Sequence, residues 1–448
     1  MKKFWIVLLA LGLVAGFAMS ASAADVKFGG SYYVFGIYAD NPTYTKAAKT
    51  PQAFYQQRLR IQTEFKVAEG LSLVTRFDAL EKPWGQWGAD QWRNDGGIAR
   101  YDVTNRRIDA AGIGTGQIRI QENIEFERAY IDFTTKIGRF NVGYQNFVAW
   151  GTMFLDTHAT RPGIKYFVPI GPVVLVAALE KVADSNTGNG TRADADGNIY
   201  DLGAIFKFGA GEAGLLYQYG DQRYNRPAGV IVQMHILNPY AKMKFGPVYF
   251  EAEGVYGFGK WRDMESPFLA GTQDIDGEAF GLYLHAKADI GPAYVGGIFA
   301  FMSGDNAGTA DKKEGGFAAA LLAGQAWDPC LIMWNDGLYG GSHRMTTPLG
   351  VFFDNAFLFQ LYGGFKPVKQ LDIMASLTYA RADRTADVKQ EYDYGYEIDL
   401  TAKYKIFDNL EYMIGGAYHI AGDYFKGANK AAPVDNNYML IHKLTLSF

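Results

Sequence analysis

Asn437-Tyr-Met-Leu-Ile-His-Lys-Leu-Thr-Leu-Ser-Phe448 closes the chain. Tyr438, Leu440, Leu444, Leu446 and Phe448 fall on one side of an alternating pattern, interrupted only by His442. Met439, Ile441, Lys443, Thr445 and Ser447 fall on the other side. A period of two with one apolar face is a β-strand with one greasy side. The same design recurs along the whole chain, so this segment reads as the last member of a long antiparallel series.

The other end of the sequence sets the compartment. Lys2 and Lys3, an apolar run from Phe4 to Phe17, and Ala21-Ser22-Ala23 form the three parts of a cleavable export signal. Residues 1–23 are therefore expected to be removed and residues 24–448 to form one domain. The apolar run is short of the roughly 20 residues that a helical span needs, and no cysteine near the cleavage site offers a lipid anchor. With 43 Lys and Arg against 47 Asp and Glu, the chain has no electrostatic footprint for nucleic acid. Cys330 is the single cysteine, so there is no intramolecular disulfide and no Cys-x-x-Cys-His haem site. Aromatic residues at 15% and 53 glycines suit many strands and tight turns. After the leader no apolar run is long enough for a transmembrane helix. A membrane protein without helical spans closes its backbone hydrogen bonds in a barrel.

The second strand carries the clearest pattern. Tyr55, Leu59, Ile61, Phe65 and Val67 point one way, and Gln56, Arg58, Arg60, Gln62, Glu64 and Lys66 the other. Six polar side chains on one face suit neither a dry core nor lipid, but they can line a wet lumen. Around it the pattern predicts strands at 26–38, 71–79, 124–133, 138–145, 164–170, 173–182, 199–208, 213–220, 231–245, 248–258, 278–290, 293–302, 353–366, 371–381, 394–406, 410–420 and 438–448. Their connections alternate between short turns, such as Gly171-Pro172, Gly246-Pro247 and Gly291-Pro292, and longer loops. Short periplasmic turns and long extracellular loops produce that asymmetry in outer-membrane barrels. The expected fold is all-β: a transmembrane antiparallel β-barrel of about 18 strands, with 16 as the alternative.

Residues 54–65, Phe-Tyr-Gln-Gln-Arg-Leu-Arg-Ile-Gln-Thr-Glu-Phe, then Glu127-Arg-Ala-Tyr-Ile-Asp-Phe133 and Gly143-Tyr-Gln-Asn-Phe-Val-Ala-Trp-Gly151, resemble proteobacterial outer-membrane porins. They are most similar to the eighteen-stranded porin and alginate-export-like group. Tyr144 stands where that group carries arginine, and its spacing to Trp150 is one residue longer. The resemblance therefore implies a channel and names no cargo. It also implies that the terminal aromatic, Phe448, is the mark read by the barrel-assembly machinery. Outer-membrane lipid and lipopolysaccharide would surround the wall and small hydrophilic solutes would cross it. A homo-oligomer is compatible with the sequence and required by nothing in it.

An aqueous pore selects by width and lining charge. The residues expected to line it are Arg58, Arg60, Glu64, Lys66, Arg76, Asp78, Arg128, Asp132 and Arg139 from the early strands, and Glu251, Glu253, Lys287, Asp289, Asp399 and Lys403 from the later ones. The early basic set would form an arc facing a mixed wall, orienting anionic or zwitterionic solutes. Alternatively, cross-strand arginine–carboxylate pairs, exemplified by neighbours such as Arg76 and Asp78, satisfy one another and stiffen the wall. The tryptophans after the leader, Trp84, Trp87, Trp92, Trp150, Trp261, Trp327 and Trp334, lie in or beside long loops. They stack flat ligands at a pore mouth or, the preferred reading, pack the loops. Segments 146–163 and 303–350 are the candidates to fold into the lumen. His285 and His419 are expected on the lumen face.

Asp194-Ala-Asp196-Gly197-Asn198 and Asp274-Ile-Asp276-Gly277-Glu278 share the oxygen-rich start of a calcium loop but lack its distal bidentate glutamate, so they are read as turns. No His-x-x-x-His or Cys/His cluster supports a metal site, no cofactor is expected, and no Gly-x-Ser-x-Gly nucleophile motif supports catalysis. The leading expectation is an outer-membrane porin, a water-filled channel for passive or facilitated diffusion of small hydrophilic solutes, anionic ones included. Two alternatives stand beside it: a barrel that sheathes a multihaem cytochrome electron conduit, and a surface receptor or adhesin.

Overall fold

The computed structural model describes residues 25–46, 49, 51–84, 124–147, 149–156, 159–184, 195–224, 226, 229–265, 273–316, 327–335, 349 and 352–448. The export signal at 1–23, Trp87, Trp92, His158, His343, Asp194 and most of the 80–121 stretch lie outside the described residues. The strands are β1 (Asp25–Ala39), β2 (Gln52–Ala68), β3 (Leu71–Pro83), β4 (Glu125–Thr135), β5 (Gly138–Asn146), β6 (Thr160–Ile170), β7 (Val173–Ala183), β8 (Gly197–Phe208), β9 (Gly211–Gln222), β10 (Val230–Phe245), β11 (Val248–Met264), β12 (Ile275–Ile290), β13 (Ala293–Met302), the two-residue β14 (Lys312–Lys313), β15 (Ala356–Val368), β16 (Leu371–Ala382), β17 (Asp393–Phe407), β18 (Leu410–Ala421) and β19 (Asn437–Ser447).

Eighteen of these pair with their neighbours, antiparallel throughout, and β19 returns to β1 from Ser31 opposite Ser447 to Ala39 opposite Met439. Closure satisfies both edges of the sheet, which is the condition for a wall standing in hydrocarbon. β14 lies outside the wall, in parallel register with β12. The eighteen-strand expectation stands and the sixteen-strand alternative falls. Strand boundaries differ most at β11, which runs on to Met264, and then equally at β3, which runs on to Pro83, and at β6, which starts at Thr160.

The connections on one end are two residues each, from Glu69-Gly70 to Asp408-Asn409. Gly171, Gly246 and Gly291 take φ of 58°, 56° and 59° in three of them. A positive φ costs glycine little and other residues more, so each Gly-Pro pair fits its tight turn. Longer connections gather at the other end, called the loop end below.

The outer face is apolar and banded. On β17 the outward series is Tyr396, Ile398, Leu400, Ala402, Tyr404, and on β15 it is Phe357, Phe359, Leu361, Gly363, Phe365, with Leu361 69% exposed. Tyr396 and Tyr404 are eight residues apart. At about 3.4 Å per residue and a tilt of about 40°, they stand roughly 20 Å apart along the barrel axis. Aromatic residues at the two interfaces with aliphatic ones between them match the pattern of a transmembrane barrel.

Candidate functional site

The lumen is built from the inward halves of these alternations. On β2 to β5 the basic residues do not stand free. Arg60 holds Asp78 with a fork of two bonds, 2.7 and 2.6 Å, and Arg58 reaches Glu81 at 3.4 Å and Asp78 at 3.7 Å. Arg76 pairs with Glu127 at 3.1 Å, and Arg139 grips Asp132. Glu64 receives Lys27 at 3.4 Å and the Ser72 hydroxyl at 3.2 Å. Tyr33 of β1 lies beneath both Arg58, 4.9 Å from its ring centre, and Lys443 of β19, 4.5 Å away. Arg128 and Lys66 make no ion pair among the described residues.

Arg76 and Asp78 are therefore not the pair that sequence proximity suggested, because Asp78 belongs to Arg60. Arg76 reaches Glu127 because the ladder is irregular where Arg76 and Phe77 face Arg128 and Phe126. That bulge takes Glu127 out of simple alternation, which is why a period-two count misses it.

The far wall is carboxylate- and tyrosine-rich. Glu251 accepts hydrogen bonds from Tyr249 at 2.7 Å and Tyr283 at 2.9 Å, and His285 Nδ1 lies 3.0 Å from it. His285 Nε2 lies 2.7 Å from the Tyr362 hydroxyl. Lys287 pairs with Asp289 at 2.9 Å, Tyr294 donates to Asp372 at 2.9 Å, and Lys403 stands opposite Asp372 in the β16–β17 register. Asp399 accepts from the Ser376 hydroxyl at 3.1 Å. His419 is buried on the lumen side, 2.7 Å from the Tyr44 hydroxyl.

Parts of both candidate inward segments, 149–156 and 327–335, enter the lumen. In the β5–β6 loop, Trp150 Nε1 donates to the Asn238 carbonyl at 3.0 Å, and Thr152 donates its N–H (3.0 Å) and hydroxyl (2.6 Å) to Glu253 Oε2. Lys242 Nζ donates to the Gly151 carbonyl at 2.8 Å. Gly151 has φ of 73°, and a Cβ there would lie 2.6 Å from Glu253 Oε1, so only glycine lets the backbone approach this carboxylate. Within the loop, Asp156 accepts from the Trp150 N–H at 2.8 Å, and burial lifts its carboxyl to about 6. Segment 327–335 docks on the opposite side, with Ile332 N–H and Met333 N–H on Glu397 at 2.6 and 2.8 Å. Gln360 donates to the Pro329 carbonyl at 2.7 Å.

The two segments meet. Phe154 of the first lies 5.1 Å from Trp327 of the second, edge to face, and stacks on Tyr283 of β12 at 5.1 Å. Phe353, Trp334 and Tyr394 complete one apolar cluster, and Ile332, Tyr44, Phe35, Ile37 and Met439 form another. Trp150, Trp327 and Trp334 thus pack loops into the lumen, while Trp84 stacks on Tyr55 at 5.0 Å. The described loops pack against β1, β7–β13 and β15–β19, and Phe54 at the loop end of β2 touches the same packing.

Sequence reading missed the pair Arg161–Glu180 (2.7 Å, with Glu180 fully buried), Lys165, Asp201 with Gln218 (2.9 Å), and Asn238. Arg161 precedes Pro162-Gly163, which reads as a break, although β6 continues through it. Glu180 sits at the end of an apolar run on β7 that has no alternation to place it. Of the calcium-like runs, Asp274 accepts from the Met264 N–H at 2.9 Å and Asp276 pairs with Lys260 at 2.6 Å, so these two acids serve the wall.

A closed barrel of eighteen antiparallel strands, apolar outside and charged within, defines a transmembrane β-barrel. No protein-family model and no curated protein matches the chain. Solved structures do. OccK9 (OpdG) of Pseudomonas aeruginosa is similar with a TM-score of 0.52 and 15% identity, over 94% of this chain and 99% of that one. A BenF-like porin from Pseudomonas fluorescens Pf-5 gives 0.51 and 12% over 95% and 99%. OccK11 (OpdR) of Pseudomonas aeruginosa gives 0.51 and 12% over 95% and 96%. The shared feature is the fold, that of proteobacterial outer-membrane porins.

Proposed function

We propose that the chain is an outer-membrane porin of a Gram-negative bacterium, exported by residues 1–23 and acting as a diffusion channel for small hydrophilic solutes, anionic ones among them. The two-residue turns then face the periplasm and the long loops the exterior. One observation carries the reading: among the described residues, the lumen-filling loops pack against β1, β7–β13 and β15–β19, and the β2–β4 wall on the turn side of Phe54 carries Arg58, Arg60, Arg76 and Arg128 outside that arc. Arg58 and Arg60 keep 25% and 21% of their side-chain surface open despite their ion pairs. A solute passing the loops would move along cations held in place by carboxylates, a surface that attracts anions without binding them irreversibly.

Hydrocarbon and lipopolysaccharide would cover the outer face. Phe448, exposed on that face and bonded through its backbone to Gly30 at 2.8 and 3.1 Å, would present the aromatic terminus to the assembly machinery. The chemistry of the lumen is that of passage and not of catalysis. The test is a salt-gradient measurement on single barrels in a planar bilayer. The wild type should show stable unitary steps and a reversal potential favouring anions, and Arg58→Glu with Arg60→Glu should move that potential toward cations. A folded barrel that carries no current, or one whose selectivity ignores both reversals, would refute the proposal.

A further inference from the structure

Beneath segment 327–335 three ligand-type side chains are buried together. Glu397 and Asp399 are two residues apart on β17, so they share its lumen face, and Cys330 is brought to them by the segment itself. Glu397 is fully buried, Asp399 is 3% and Cys330 4% exposed, and one ligand atom from each lies within 4.8 Å of the other two.

Hydrogen bonding leaves this group incomplete. Glu397 accepts the Ile332 and Met333 N–H groups, one on each oxygen, and the Asp399 carboxylate accepts the Ser376 hydroxyl on Oδ2. Asp399 also lies against the Glu397 carboxyl and the Leu331 N–H, and its Oδ1 is buried without a well-aligned donor among the described residues. Neither carboxylate belongs to an ion pair among those residues. Two adjacent carboxylates buried without a counter-charge are costly, and either a proton or a cation must stand between them. A carboxylate oxygen that accepts one N–H keeps a second lone pair, so the bonds to Ile332 and Met333 do not block a cation.

We infer that Cys330, Glu397 and Asp399 form a binding site for a thiophilic divalent cation of the zinc class, which fastens segment 327–335 to β17. One sulfur and two carboxylates suit Zn²⁺, with bonds of about 2.3 Å to sulfur and about 2.0–2.2 Å to oxygen. Hard cations such as Mg²⁺ and Ca²⁺ take oxygen ligands and gain nothing from the thiol. Thr378 Oγ1, 3.4 Å from Cys330 Sγ, stands beside the group as a fourth donor. Binding forms an S–Zn bond and releases the thiol proton to solvent, together with the proton that otherwise bridges the carboxylates; nothing is oxidised or reduced. Burial pushes the free Cys330 thiol well above its ordinary pKa. The metal-free form is therefore protonated, and affinity falls as pH falls. A count of Cys and His spacing does not find this site because two of its ligands are carboxylates on a strand far from the cysteine in sequence.

The sequence holds one cysteine, so a thiolate-to-metal absorption band reports this site and no other. Full-length mature barrel, stripped with a chelator and refolded, is titrated with Co²⁺ as the stand-in for Zn²⁺. The expected result is a thiolate–cobalt charge-transfer band that saturates at one ion per chain, is abolished by Zn²⁺, and is lost in Cys330→Ala. Asp399→Asn should weaken the affinity about tenfold or more. Wild-type protein that folds and gives no such band has only a shared proton at the carboxylates, and the proposal is overturned. It is also overturned if Asp399→Asn leaves the titration unchanged. The wild-type titration decides alone if Cys330→Ala does not fold.

Discussion

Replacing Glu253 with alanine should release the β5–β6 loop from the wall. The Glu253 carboxylate is buried and accepts three hydrogen bonds: Thr152 N–H at 3.0 Å, Thr152 O–H at 2.6 Å and Asn238 Nδ2 at 3.0 Å. The first two tie the loop to β11, whereas the third joins β10 and β11 and holds the carboxylate in place. Hydrogen bonds to a charged group contribute about 1.5–3 kcal/mol each, net of desolvation. Losing two gives roughly 3–6 kcal/mol, and water entering the vacated space from the lumen brings the loss toward the lower end. About 3 kcal/mol is roughly a hundredfold shift toward the undocked loop. The bonds Lys242–Gly151 and Trp150–Asn238 remain, so the loop should become mobile instead of leaving the lumen. In planar bilayers the variant should show a larger unitary current or rapid flicker, absent in the wild type. Thr152→Val, which loses only the hydroxyl bond, should give a smaller change in the same direction. A Glu253→Ala barrel with native circular dichroism and heat-modifiable migration, but unchanged unitary current and noise, would show that the carboxylate does not hold the loop.

Three further expectations rest on separate parts of the molecule. Asp156 has its carboxyl raised by burial to about 6 from an ordinary 3.8, so its ionised form disfavours docking; docking should strengthen as pH falls from about 6 to about 3.8 and be flat outside that window. Current noise should decline over that range, with a slope in docking energy of at most about 1.4 kcal/mol per pH unit, and Asp156→Asn should abolish the dependence. Arg161→Ala leaves Glu180 buried without its cation and should cost about 3–5 kcal/mol, read as a lower temperature for loss of the compact band on gels; Arg161→Lys should recover part of it. Leu361→Arg puts a charge on the lipid face near mid-strand of β15 and should reduce folding stability in lipid vesicles by about 2–4 kcal/mol, with no effect on ion selectivity.

The wall was legible because each barrel strand must solve the same problem locally. Tyr396, Ile398, Leu400 and Tyr404 face hydrocarbon whatever the rest of the chain does, so a period-two pattern marks β17 without tertiary information. Gly171-Pro172 marks its turn because glycine tolerates the positive φ found there. Other features depended on partners distant in sequence. Glu253 reads as a lining carboxylate, but nothing near it announces Thr152, which lies 101 residues away. Glu127 was hidden by the bulge opposite Arg76. Arg161 was hidden by the proline and glycine that follow it, although Pro162 faces outward on β6 and its residue partner in β5 is Tyr144.

One signal in the sequence does map the lumen, once the barrel is known. From Arg58 to Lys66 β2 alternates apolar and polar because its inner face meets water, while Phe54 at its loop end packs inward beside Phe35. The loop-end halves of β1 and β19 are apolar on both faces: Phe35 and Ile37 point inward on one, Met439 and Ile441 on the other, all buried. Met302 and Ala300 on β13, with Leu358 and Ala356 on β15, repeat this. The same strands turn polar inside toward the turn end, at Lys443 and Thr445, at Tyr362 and at Lys366. Inward apolar residues in a wet barrel would carry an exposure cost with no return, so their presence marks where a loop must cover them. The change from apolar to polar along one strand therefore gives the depth of the loop packing, and on β2 it falls early, just after Phe54. Both agree with the positions of Trp327, Ile332 and Phe154. From Arg58 onward the inner face of β2 stays polar, which fits the proposed solute route past the described loops.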